Sequence, residues 1–399
     1  MITLISLLLT VVAAGLSIFV GVLFIEIAAA TFLPQAPPPK SRSPRQQRIA
    51  VLVPAHNESL GILPTLADIK SQLQSGDRLL VVADNCSDDT AAVAAKGGAE
   101  VAVRTDPTRV GKGYALQFGI SHLAVDPPDV AIVIDADCRL SDHCLDHLTI
   151  TCAEARRPVQ ALDLMTEANS SPIDHRIAEF AWRVKNWVRP LGLKALNLPC
   201  HLLGTGMAFP WDLIRRSDLA SDSLVEDVKL GLDLAVAGIA PMFCPSAIVS
   251  SCFPLTPQGA STQRKRWEHG HLHLISTVVP RLTYSALRSR NVDLFVLALD
   301  IAVPPLSIFF GALFISFVAA LLAALIGVGW IPLALSTAGL LLFVTGVLLA
   351  WSKYGRDLIR PGSIFSIASY FFAKLPLYYE FIFRRAVSHW IRTDRTGVE

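Results

Sequence analysis

The sequence predicts an α/β domain on a mainly parallel sheet, carried between helices able to cross a membrane. Short Val- and Ile-rich runs alternate with helix-like runs through the middle of the chain, the pattern of βαβ units. Apolar residues gather at the two ends. Charged residues make up only 17% of the chain, against about 25% in an ordinary soluble domain. The 399 residues allow two or three units at roughly 100–200 residues per domain. A hydrophobic fraction of 52% and a mean hydropathy of +0.48 exclude a disordered chain, a collagen-like chain and a purely soluble enzyme. A net charge of +2 is too balanced for nucleic-acid binding on a basic face. The seven cysteines contain no CxxC pair, which argues against a disulfide scaffold and a structural zinc site. They read as reduced thiols that pack.

From Ile2 to Pro39 the only charge is Glu26, and Ile2–Thr31 exceeds the roughly 20 residues a span needs. A cleaved signal peptide is the other reading, but no Lys or Arg precedes the apolar run and the run is too long. Lys40, Arg42, Arg45 and Arg48 follow, and basic residues beside a span favour the cytoplasm. Pro34–Pro39 reads as a stiff spacer. Ile301–Ser352 contains no Asp, Glu, Lys or Arg and suits two helices broken at Gly327, Gly329 and Pro332. Ile364–Phe383 is interrupted by Lys374, Pro376 and Glu380. As a span it would put the basic tail outside, so an interfacial helix is favoured.

Ile49–Val53, Leu79–Ala83, Glu100–Val103 and Val130–Ile134 read as strands, with Ala91–Lys96 and Tyr114–Leu123 on helices between them. Ligands of open α/β sheets bind at the carboxyl ends of the strands. There the chain carries Pro54-Ala55-His56-Asn57-Glu58, Asp84-Asn85 and Asp135-Ala136-Asp137. Asp88 in Ser87-Asp88-Asp89-Thr90 reads as helix capping. In extended backbone Asp135 and Asp137 point the same way, and with a diphosphate completing the shell they suit Mg2+ or Mn2+. Lys112 lies between Gly111 and Gly113 at a helix start. It can serve a phosphate or a nucleobase carbonyl, or simply belong to a cap. Glu226 and Asp227 open a helix ending near Gly238. They either complement its macrodipole or supply a general base. Gln263, Arg266 and Trp267 share a helical face, or are interfacial anchors. His269 and His273 could share a metal, though packing is favoured without a third ligand.

Asp84, Asp135-Ala136-Asp137, Glu226-Asp227 and the QxxRW pattern Gln263–Trp267 occur in the order seen in membrane-bound family 2 glycosyltransferases. With them stand Pro54–Glu58 and Gly204-Thr205-Gly206. The chain resembles this group of cellulose-, chitin- and hyaluronan-synthase-like enzymes over about residues 47–275. The resemblance implies a GT-A (Rossmann-like) cytosolic domain and a nucleotide-sugar donor, most often a UDP-sugar. Pro54, Ala55, Glu58, Asp84, Lys112 and Asp135 would line the nucleotide, Arg266 would face the diphosphate, and Asp137 with Asp135 would hold Mg2+ or Mn2+. Asp227, beside Glu226, would be the base. Gln263, Arg266 and Trp267 would close over diphosphate and acceptor, and Gly204, Thr205 and Gly206 would border the acceptor. Asn85 and Val225 depart from residues common in the group. The implied organisation is an anchor over 1–33, a Pro/basic linker over 34–46, a GT-A domain over 47–258 and a signature-bearing interfacial segment over 259–290. Two transmembrane helices over 291–352 and an interfacial or third helix with a basic tail over 353–399 complete it.

One base and no carboxylate nucleophile imply inversion. The leading expectation is an inverting, metal-dependent hexosyltransferase extending a β-linked polysaccharide at the cytoplasmic face of the inner (plasma) membrane. The alternative is a single transfer to a polyprenyl- or ceramide-like lipid. So few helices would make a processive enzyme depend on a dimer or an export partner. A non-catalytic sensor fits poorly, because Asp137, Asp227 and Arg266 are all present. A transporter fits poorly with nearly charge-free spans.

Overall fold

The computed structural model describes residues 2–35, 37–39, 45–166, 173–220, 225–253 and 257–363. They form two compact units, a sheet-based core and a helical unit.

The core has eight strands: β1 Ile49–Ala55, β2 Arg78–Asp84, β3 Glu100–Arg104, β4 Val130–Val133, β5 Arg139–Leu140, β6 Val159–Thr166, β7 Met207–Pro210 and β8 Met242–Cys252. Their order is β3-β2-β1-β4-β7-β6-β8-β5. The four runs read from the sequence are β1–β4, and all pairings among them are parallel. The other half is mixed: β7 runs antiparallel to β4 and β6, while β6 and β8 are parallel. Both faces of β1 are buried, hence its unbroken apolar run. Ile49, Val51 and Val53 join Leu66 and Leu148 in one core layer, and Ala50 and Leu52 join Leu116 and Phe209 in the other. The helices Thr90–Lys96 and Lys112–Leu123 follow β2 and β3, as the alternation predicts.

Two of the four basic residues taken as a membrane-side signal belong to the core instead. Arg45 is buried, paired with Asp77 and, at 2.6 Å, with Asp146, and Arg48 pairs with Asp126. An arginine so enclosed is held by its carboxylates, because an unpaired buried charge is costly. Lys40 and Arg42 lie outside the described residues.

The helical unit contains Ile2–Phe32, Ile173–Arg183, Arg189–Ala195, Pro257–His273, Val279–Ser289, Val292–Ala302, Leu306–Leu325 and Ile331–Tyr354. Two π-helical turns, Val184–Val188 and Leu274–Val278, lead into the helices that carry Pro190 and Pro280 in their first turn. Proline has no N–H to give to the preceding turn, and the local change of winding accommodates it. Ile2–Phe32, Leu306–Leu325 and Ile331–Tyr354 are long and apolar enough to cross a membrane. Gly327 and Gly329 both have positive φ at the break between the last two. Ile364–Phe383 and the basic tail lie outside the described residues.

The two units divide the middle of the chain in one further place. Residues 173–197 fall within the 47–258 span but group with the helices. Arg189 pairs there with Glu26 and Asp300, and the backbone at Gly192 meets that of Glu26. The signature-bearing helix Pro257–His273 belongs to the same unit.

Candidate active site

Pro54 and Ala55 close β1, and Asn57 turns the chain at φ 56°. The His56 Nδ1–H donates to the carbonyl of Asp84 at 2.8 Å, and the Glu58 amide donates to Thr90 Oγ1 at 2.8 Å. These bonds stitch together the ends of the first two strands. Asp88 lies one residue before the N-cap Asp89, and its carboxylate accepts from the Thr90 amide at 3.0 Å and from the Thr90 hydroxyl.

At the end of β2, Asp84 is buried and accepts from Arg104 Nη1 at 2.6 Å. The two residues face each other in the β2–β3 register. Arg104 also donates to the carbonyl of Arg109 at 2.9 Å and lies over the Tyr114 ring, 5.6 Å from its centroid. Asn85 has φ 50°; its Nδ2 donates to the Asp106 carbonyl and its Oδ1 accepts from the Asp106 amide at 2.7 Å. The amide that departs from the resembled group's second acid thus organises the 104–109 loop.

Beyond β4, Lys112 Nζ pairs with Asp135 Oδ1 and donates to the carbonyl of Gly204 at 2.8 Å. Gly204 has φ +91°, and a Cβ there would lie 3.3 Å from Asp227 Oδ2 and 3.5 Å from Lys112 Nζ. Only glycine suits that conformation and that gap. The Asp135 amide donates to Thr205 Oγ1 at 3.1 Å, and Gln160 Nε2 donates to the Thr205 carbonyl at 2.8 Å. The Gly204–Gly206 loop is therefore pinned beneath the Asp135 turn. Asp227 Oδ1 accepts from the Val228 amide at 2.8 Å in the first turn of Glu226–Val236. Glu226 and Asp227 border a small cleft with Gly113, Met207, Asp218 and Leu230.

Burial alone would lower the Lys112 pKa, but Asp135, Glu226 and Asp227 together hold it above the usual lysine value. Burial, and then the neighbouring Asp227 carboxylate, push Glu226 up to about 7. A carboxyl whose pKa is raised by burial and a neighbouring acid is a common feature where acid–base work is done. The structure brings Lys112, Asp135, Gly204, Glu226 and Asp227 together.

Asp137 is half-buried two residues after Asp135, with Cys138 Sγ 3.9 Å from its Oδ1. Asp135 and Asp137 offer hard oxygen ligands suited to Mg2+ or Mn2+. Among the described residues no three His, Cys, Asp or Glu side chains form a metal-sized cluster. A cation here would complete its shell with phosphate oxygens and water.

In the helical unit, Gln263, Arg266 and Trp267 lie on Pro257–His273. Gln263 is buried, and among the described residues its Nε2 has no hydrogen-bond acceptor. Trp267 packs on Trp182, ring centroids 4.7 Å apart and planes inclined 41°. His269 is buried and His273 exposed, so the pair does not converge on a metal. The His271 Nε2–H donates to the carbonyl of Ile301 at 2.8 Å, and burial pushes its pKa down to about 3.

Sequence reasoning missed Arg104, Trp182 and Arg189. Arg104 acts through the β2–β3 register, which the sequence does not disclose. The two others depend on contacts between distant segments and left no local signal.

Residues 44–270, more than half of the chain, match the family described as Glycosyltransferase like family 2. The chain belongs to this family. Probable glycosyltransferase YdaM of Bacillus subtilis (strain 168) is 26% identical over 241 residues, 57% of this chain and 56% of that protein. Uncharacterized glycosyltransferase Rv0539 of Mycobacterium tuberculosis (strain H37Rv) is 44% identical over 89 residues, 22% of this chain and 36% of that protein. The chain thus spans about half of the first relative and about a third of the second. Among solved structures, the mannosyltransferase PcManGT from Pyrobaculum calidifontis, in complex with GDP-Man and Mn2+, aligns with a TM-score of 0.57. At 17% identity it covers 96% of this chain and 100% of that one. The shared fold is a GT-A-like α/β core with a mixed sheet, accompanied by apolar helices at both ends of the chain.

Proposed function

We propose that the chain is an inverting, divalent-cation-dependent hexosyltransferase that moves a sugar from a nucleotide-sugar to an acceptor at the cytoplasmic face of the inner membrane. The observation that carries this reading is the convergence of Lys112, Asp135, Gly204 and Asp227 at the carboxyl ends of the strands. Pro54, Ala55, Glu58, Asp84, Lys112 and Asp135 line the nucleotide, and Asp137 with Asp135 holds Mg2+ or Mn2+. When bound, the cation neutralises charge developing on the leaving diphosphate. Lys112 adds a fixed positive charge beside it, and the resemblance assigns Arg266 and Gln263 to the diphosphate as well. Asp227 takes the acceptor hydroxyl proton as the oxygen attacks the anomeric carbon opposite the diphosphate. Gly204, Thr205 and Gly206 border the acceptor, and Trp267 offers an apolar face to its sugar ring.

The acceptor is a membrane lipid that receives one sugar. Three candidate spans lie among the described residues, and they pack directly on one another: a Cβ at Gly339 would be 3.2 Å from Ser17, and one at Gly346 3.4 Å from Phe24. A solid bundle of this kind suits an acceptor arriving from the bilayer. The Gln263–Trp267 signature supports a second reading, extension of a β-linked polysaccharide, which would call for a dimer or an export partner to conduct the product. The donor is a UDP-sugar on the resemblance, whereas the similarly folded mannosyltransferase binds GDP-Man. Labelled UDP-, GDP- and dTDP-sugars supplied to membranes with and without Mn2+ identify the donor, and product size identifies the acceptor. One labelled sugar on extractable lipid is the expected product. A ladder of increasing length overturns the lipid reading, and no transfer from any donor overturns the enzymatic one.

A further inference from the structure

The helical unit buries three charges contributed by segments far apart in the chain. Arg189 Nε donates to Glu26 Oε2 at 2.6 Å, and Arg189 Nη2 donates to the carbonyl of Asp300 at 2.7 Å and also to its carboxylate. The side chains are 3% (Glu26), 8% (Arg189) and 14% (Asp300) exposed. Well-packed apolar residues would often be as stable in such a place, so stability alone is a weak reason for the charges. What they add is direction. A guanidinium fork bonded to two segments fixes their separation and rotation in a way a lysine cannot.

Two further contacts show what is being fixed. A Cβ at Gly192 would lie 1.9 Å from the carbonyl oxygen of Glu26, so the Arg189–Ala195 helix rests backbone-to-backbone on the first helix. The carbonyl of Ile301, next to Asp300, accepts from His271, which lies one helical turn beyond Trp267 on the same face. Trp182, seven residues before Arg189, packs on Trp267. The segment carrying Trp182 and Arg189 is thus joined to the signature helix directly through the indoles and indirectly through Asp300–Ile301.

We propose that Arg189 is a positioning residue that, clasped between Glu26 and Asp300, holds the signature helix in the register that sets Trp267 against Trp182. The first membrane helix is then part of the acceptor platform as well as an anchor. The acceptor role of Trp267 rests on the proposed function; the clasp does not.

Circular dichroism of the full chain in detergent reads the indole pair as an exciton couplet from the strong far-UV indole transitions, superposed on the helical bands, that W182F and W267F each abolish. R189K and G192A are expected to lose most of the couplet while far-UV helicity persists. Their nucleotide affinity, measured with UDP and with GDP plus Mn2+, stays within about twofold of wild type, because no residue assigned to the nucleotide is changed. Transfer of label into the endogenous acceptor of native membranes falls by about tenfold or more, the effect of one lost charge-assisted hydrogen bond. If R189K and G192A fail to fold, E26Q keeps an oxygen for Arg189 and shows a partial loss. An unchanged couplet in the folded variants overturns the proposal. A wild type that binds no nucleotide overturns the functional reading and leaves the clasp to be judged by the couplet.

Discussion

Asp227 and Glu226 are adjacent carboxylates set against one ammonium. Glu226 titrates near 7 instead of its ordinary 4.5 because burial and the Asp227 charge disfavour its anion. Its folded pKa lies above the unfolded one, so the native chain binds the extra proton between those values. The stability this contributes is complete below about pH 4.5 and is lost as pH rises through about 7. Thermal unfolding at a series of pH values should show stability falling across that window, and E226Q should flatten the fall. An equal slope in E226Q would remove Glu226 as its source. G204A should cost both transfer and donor binding, because the added methyl meets Asp227 and Lys112 at a positive φ. Steady-state rates and calorimetric nucleotide affinity test this, and wild-type values in both would contradict it.

Among the elements, β2 and β3 are coupled by the Asp84–Arg104 pair, whose side chains are each 8% exposed. R104M leaves a buried carboxylate without its counter-charge and should destabilise the core by about 3–5 kcal/mol. D84N/R104M should recover much of that loss, as chemical denaturation would show; a double variant no better than R104M would contradict the pairing account. These elements also show what the sequence discloses. Strands β1–β4 stand out because parallel strands covered on both faces become continuous apolar runs, as Ile49–Val53 does. The later strands do not. β6 carries Gln160 and Asp163 inward, and β8 contains a register shift opposite Ala161 and Leu162 that breaks the two-residue period. The motif residues of the core, Lys112, Asp135 and Asp227, were legible because each sits at a strand end or a helix start. Arg104 was not, because it acts through a cross-strand partner and its spacing follows no local period.

For the whole molecule, two apolar regions bracket the core in sequence, and the unit they build also includes residues 173–197. Hydropathy made the three candidate spans legible. The amphipathic helix Ile173–Arg183 and its continuation were not, because their partners Glu26, Trp267 and Asp300 lie far away in the chain. With Arg45 and Arg48 engaged in core ion pairs, the cytoplasmic placement proposed for the core requires a direct topological test. Single cysteines on a cysteine-free background supply one. A cysteine at exposed Val125 should react with an impermeant maleimide only after the inner membrane is opened, and one at exposed Ile326 should share that behaviour only if the 306–325 helix does not cross. Labelling of position 125 in intact spheroplasts would reverse the orientation.

The central claim is that the acids at the strand ends divide between holding a cation-bound sugar diphosphate and accepting a proton. Calorimetry of nucleotide binding with and without Mn2+, made alongside turnover in D137N and D227N, tests it most directly. D137N should lose the Mn2+-dependent part of binding. D227N should bind as wild type does while transfer falls by about 10²–10⁴-fold. Undiminished Mn2+-dependent binding in D137N, or wild-type turnover in D227N, would contradict the account.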